Sequence, residues 1–153
     1  MKLQRKQSGQ AILESALIML VFLLIFIGIL DFGQFLYFHQ SLTERARAGA
    51  RYSAAHPCAA DLTCPDAINV AIYNDPAGAA SGASALLPNV NLPGARPDVN
   101  KATITATLSS PGTDDARVMV TISNYPYNFV SPYMSKATWF RTVRASESYE
   151  IGR

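Results

Sequence analysis

Charge is scarce in this 153-residue chain: Asp, Glu, Lys and Arg make up 16% of it, with 13 basic against 11 acidic side chains. That excludes a charge-rich coiled coil and a basic nucleic-acid arm. Two cysteines are too few for a disulfide-dense scaffold. Histidine is limited to His39 and His56, neither with an evident carboxylate or nucleophile partner. The G-x-S-x-G, P-loop and H-E-x-x-H patterns are missing as well. No catalysis, cofactor, metal or small-molecule substrate is therefore expected. Glycine and proline, nine each, follow no collagen repeat, and 49% hydrophobic residues is too many for a disordered chain. The length allows one domain with appendages.

The apolar residues are concentrated near the amino terminus. Ser15 to Leu30 is a run of 16 residues without a charge. Ala11, Ile12 and Leu13 precede it, and Phe32, Phe35, Leu36, Tyr37 and Phe38 follow Asp31, so the apolar stretch is long enough to span a membrane. Glu14 and Asp31 bracket the run. They lie 17 positions apart, about 25 Å of helix, which sets each acid near an interface. Lys2, Arg5 and Lys6 form a basic cluster that stays cytoplasmic and sends the rest outward. Without the first nine residues the balance is 10 basic against 11 acidic, so the excess of base does not point to a basic surface on the body, and nucleic acid is not an expected partner. A cleaved secretory signal is the competing reading. The apolar run is too long for an ordinary h-region, and no small-x-small site follows it promptly.

Gln7-Ser8-Gly9-Gln10-Ala11-Ile12-Leu13-Glu14 resembles a type IV prepilin processing site: a short basic leader, a Gly, and an acid five residues after the cut. With Gly28-Ile29-Leu30-Asp31-Phe32-Gly33 and Ala46 through Arg51 and Tyr52, the stretch resembles the TadE-like minor pilins or pseudopilins of tight-adherence (Flp) pili, over about residues 7 to 55. The resemblance implies cleavage between Gly9 and Gln10 by a prepilin peptidase, retention of the helix, and pairing of Glu14 with the new amino terminus of a neighbouring subunit. A carboxylate in low dielectric is tolerable when so paired. The mature chain would begin with Gln10 where major type IV pilins usually begin with Phe. It is also larger than the short major pilins of these systems, which favours a minor subunit or assembly factor. Asp31-Phe32-Gly33 spells a kinase signature, but no nucleotide loop or catalytic loop accompanies it. Asp31 is better read as an interfacial acid or a contact to a partner helix, with Gly33 beside it.

Helix-forming residues continue from Gln40 to His56. Leu42, Ala46, Gly49 and Ser53 fall on one face as a narrow stripe of small side chains, where another backbone can approach closely. Arg47 and Arg51 share a different face with Glu44, read as a solvated, partly paired surface. Cys58 and Cys64 are expected to form a disulfide. The alternative is a metal site using His56, Cys58, Asp61 and Cys64, although that spacing matches no standard zinc pattern. Pro65 or Asp66 starts a second helix carrying Ala67, Ile68, Ala71 and Ile72, interrupted at Asp75-Pro76 and resumed from Ala77 to Leu87.

After Asn100 the period becomes two. Ala102, Ile104, Ala106 and Leu108, then Val118, Val120 and Ile122, make a hairpin about the turn 110–115, and Phe140 to Ile151 makes a third strand. Aromatics gather at Tyr125, Tyr127, Phe129, Tyr133, Trp139 and Phe140. They are read as core and sheet covering, with a subunit-contact or adhesive patch as the alternative.

The expected fold is α+β: a long amino-terminal transmembrane helix continues into an extracytoplasmic helix packed on an antiparallel sheet of about three strands. Its divisions are a leader at 1–9, a membrane helix at 10–39 and a head at 40–153. The expected function is a structural subunit for assembly of an adhesive pilus, held in a bacterial inner membrane with its amino terminus cytoplasmic and its head periplasmic. Its expected partners are a prepilin peptidase, other pilins and an assembly platform. The alternative is an uncleaved, membrane-tethered binding domain.

Overall fold

A computed structural model describes residues 5–59, 61–87, 90–91, 98, 101–127, 129 and 142–149, with side chains from residue 9 onward. Its first element, α1, runs without a break over Arg5–Ala54, 50 residues, about 75 Å at the usual rise. No proline interrupts it before Pro57. Within the apolar stretch the Ser15 hydroxyl donates to the Ala11 carbonyl at 2.9 Å, so this polar side chain is satisfied by its own helix. The helix stops where His56-Pro57 disfavours further turns. There the Ala55 amide donates to the Tyr52 carbonyl at 3.2 Å.

The described residues fall into two compact units: 5–36 with Phe129, and 37–127 with 142–149. In the first, the helix carries its apolar side chains bare: Ile18 is 65% exposed and Ile29 66%. A side chain so placed in water forfeits the gain from burial, about 25 cal/mol per Å² of apolar surface. The segment is long and apolar enough to cross a membrane.

The second unit has a conventional core. Helix α2 spans Pro65–Tyr73, with proline at its first turn and Asn74 in the left-handed conformation at its end, as the chemistry of helix termini favours. Three strands, β1 (Thr103–Ser109), β2 (Arg117–Ser123) and β3 (Val143–Ser148), form an antiparallel sheet in the order β1-β2-β3. The register aligns Ala106 with Val120 and Val120 with Ala145. Ile104, Ala106, Leu108, Val118, Val120, Ile122, Val143 and Ala145 are all buried with Leu42, Ala46 and Ala50 of α1 and Ala67 and Ile72 of α2. Thr and Ser take the outward positions of β1.

The long free edge of β1 is partly covered. Thr63 bridges Thr107, Leu108 donates its amide to the Leu62 carbonyl at 2.9 Å, and Cys64 donates its amide to the Ala106 carbonyl at 3.1 Å. The pairing satisfies groups that an open edge would present to other chains.

Two expectations are corrected here. The helix does not resume over Ala77 to Leu87; only a short 3-10 turn, Gly78–Ser81, forms. Gly78 and Gly82 take left-handed φ of 61° and 78°, which an α-helix cannot continue through, and a Cβ at Gly78 would lie 2.7 Å from Asn69 Oδ1. The described third strand is also shorter than 140–151, whose positions 140, 141, 150 and 151 lie outside the described residues.

Candidate functional site

The sequence singles out residues at three places along α1 and one just beyond it. Gly9, Gln10 and Glu14 lie on the first turns, all exposed, with nothing within 4 Å of where a Gly9 Cβ would be. The helix already includes Arg5, so the Gly9–Gln10 bond sits inside a helical turn. Among the described residues the Glu14 side chain has no hydrogen bond or ion pair, although it precedes 16 uncharged residues.

Asp31 is 3% exposed, whereas its neighbours Leu30 and Phe32 are 51% and 61% exposed. One face of the helix is therefore covered here and the adjoining faces are not. Phe35, one turn on, shares that face and stacks on Phe129, with ring centroids 6.1 Å apart and planes 23° apart. Gly33 lies open, with nothing within 4 Å.

In the second unit the small-residue stripe is internal. Ala46 is fully buried and Ser53 is 2% exposed. A Cβ on Gly49 would stand 2.5 Å from the Ala67 carbonyl oxygen and 3.4 Å from the Ala71 methyl. The backbone that approaches is thus α2 of the same chain. A single missing methyl lets the two helices pack this closely, as happens at small-residue crossings generally.

The arginines differ from the sequence reading. Arg51 pairs with Glu147 of β3 at 3.5 Å, not with Glu44, and both side chains are solvated, so the pair contributes little. Arg45 donates to Asn74 Oδ1 at 3.3 Å.

Cys58 and Cys64 are bonded to each other. With both sulfurs in the disulfide the alternative metal site loses its thiolate ligands, and no group of three or more His, Cys, Asp or Glu gathers elsewhere among the described residues. Inside the closed loop the Thr63 hydroxyl and amide donate to Asp61 Oδ1 at 2.7 and 3.1 Å. These bonds, the hydroxyl first, hold the Asp61 carboxyl below the usual 3.8. His56 stacks on Tyr52 at 4.0 Å and its Nδ1 donates to the Tyr52 carbonyl at 2.8 Å. A cavity of about 260 Å³ is lined by His56 and the disulfide together with Ser53, Pro57 and Asp66.

The aromatic set divides. Tyr125 and Tyr127 are each 7% exposed, as core covering requires, and burial pushes the Tyr125 hydroxyl up. Tyr127 meets Phe38 edge-on at 5.5 Å. Phe129 goes instead to the apolar helix, a destination that no local pattern in the sequence signals. Tyr133, Trp139 and Phe140 lie outside the described residues.

Among the described residues one helix is long and apolar enough to cross a membrane, and it is joined to a small α+β unit, an arrangement that suggests a single-pass membrane protein. Residues 9–51 match the family model described as TadE-like protein. The match begins at Gly9 and covers the whole apolar stretch and most of the remaining helix. No curated protein and no solved structure matches the chain.

Proposed function

We propose that the chain is a structural minor pilin or pseudopilin that supports assembly of an adhesive tight-adherence pilus. The observation that carries this reading is the coincidence of the family match, residues 9–51, with the one helix among the described residues whose apolar side chains are left uncovered. In this reading residues 1–9 are a leader removed between Gly9 and Gln10 by a prepilin peptidase at the cytoplasmic face of a bacterial inner membrane. Residues 10–39 cross that membrane and 40–153 form a periplasmic head.

Glu14 supports the same reading. A carboxylate bordering a long apolar run asks for a partner, and among the described residues it has none. A free ammonium on the adjacent subunit supplies one in the right dielectric. Asp31 and the stripe at Ala46, Gly49 and Ser53 are covered within the chain, so contact between subunits falls to the exposed faces of the span, including Gly33. The subunit acts by packing and not by catalysis.

An uncleaved tethered domain is the second reading, favoured by the continuity of α1 through Gly9. Intact mass and amino-terminal sequence, taken from membranes of the protein's own cells, separate the two. A chain beginning at Gln10 with the apolar helix retained is the expected result. One beginning at Met1 would leave the tethered domain, and one beginning beyond residue 40 would refute both.

A further inference from the structure

Phe129 stands apart from the other described residues of the head. It is grouped with the apolar helix and not with the sheet, two residues after Tyr127 has been buried in the head. It is partly buried, and its ring stacks on Phe35 at 6.1 Å. Phe35 lies 21 residues beyond Glu14, about 32 Å along a helix, against a hydrocarbon thickness of about 30 Å. The stacked pair is therefore level with the outer end of the span. Around it the helix presents Phe32, Leu36 and Tyr37, 61%, 48% and 72% exposed.

We propose that Phe129 is a membrane-interface anchor: this ring lies against α1 at the outer boundary of the apolar span and sits in the lipid headgroup layer. The inference rests on the membrane reading of α1. Lipid is the occupant because the partly exposed Phe129 continues the exposed apolar surface of the span without a polar break at Phe35, Leu36 and Tyr37. Tyr and Trp rings favour that depth, and interfacial segments bury Phe at the boundary of headgroups and acyl chains. Asp31, one turn below Phe35, is buried as well, as a carboxylate just inside the boundary requires.

Trp139 is the one tryptophan of the chain, so Trp139→Phe provides a dark background for fluorescence. In it, Phe129→Trp is placed in phosphatidylcholine–phosphatidylglycerol nanodiscs whose lipids carry bromine either near the glycerol or at the chain ends. Phe22→Trp and Met119→Trp serve as references for the span and the outward sheet face. Phe129→Trp is expected to be quenched about twofold or more strongly by the shallow bromines than by the deep ones. Phe22→Trp should show the opposite order. Quenching of Phe129→Trp by aqueous iodide as free as that of Met119→Trp overturns the proposal. Shielding from both lipid and iodide also overturns it, since a protein surface would then cover the ring. If Phe22→Trp is insensitive to both bromines, the membrane reading itself fails, and the proposal with it. Should the tryptophan variants not fold, 4-fluorophenylalanine at position 129 of the otherwise native chain reads the same depth, through paramagnetic broadening of its fluorine signal.

Discussion

The position of Gly49 is decided by one atom. An added methyl would meet the Ala67 carbonyl oxygen at 2.5 Å, closer than such atoms approach, so α2 must shift. Alanine offers about 1 kcal/mol of helix propensity over glycine, while overpacking a fitted core costs about 1–3 kcal/mol. Gly49→Ala is therefore expected to lower the thermal midpoint of the detergent-solubilised head, and Gly33→Ala, with nothing within 4 Å, is expected to leave it unchanged. Equal midpoints for the two variants would contradict the packing described. Asp61 supplies a titration. Its folded carboxyl is held below 3.8 by the Thr63 hydroxyl and amide, so the stabilisation is present above the unfolded value and disappears as pH falls through the lower folded one. The Thr63 amide resonance should titrate with a midpoint below 3.8 and should lose that transition in Asp61→Asn. A midpoint at or above the ordinary value would show that the turn does not hold the anion.

Among the elements, the strands were the most legible in the sequence. Alternation at Ala102 to Leu108 and at Val118 to Ile122 leaves one face to bury, and the buried residues are those. Helix α2 was legible from Pro65 and its apolar spacing. The small stripe of α1 was legible as a close approach, but not its partner, because a row of small side chains fits any backbone and the sequence does not order distant segments. The residues after Asp75 misled, since alanine-rich composition favours helix while the left-handed backbone at Gly78 and Gly82 overrides it. The destination of Phe129 was illegible for a related reason: a hydrophobic ring has several apolar surfaces to choose from, and the choice is made by the path of the whole chain. The disulfide-closed element gives a direct prediction. Opening a loop this short returns about 2 kcal/mol of chain entropy to the unfolded state. Cys58→Ser with Cys64→Ser should therefore lower the denaturant midpoint of the head, measured without reductant, and reductant should shift the native protein the same way. No shift in either would mean that the loop is held by its bonds to β1 alone.

For the whole molecule, the exposed apolar helix and the lone acid at its start set the expected behaviour. Removing Glu14 relieves insertion of a charge whose transfer to mid-membrane costs roughly 2.5 to 3.5 kcal/mol. Glu14→Ala should therefore reach the membrane fraction at least as well as the native chain, yet assemble no pili, as counted on the cell surface by electron microscopy. Normal pili in that variant would remove the acid from the assembly step. Traction raises a separate consequence of the Cys58–Cys64 bond. A pull along α1 reaches Cys58 soon after the helix ends at Ala54 and crosses through sulfur to Cys64, next to the first residue of α2. Residues 59–63 are bypassed, so they pay out no slack, and the hydrogen bonds that dock them on β1 are not the links loaded first.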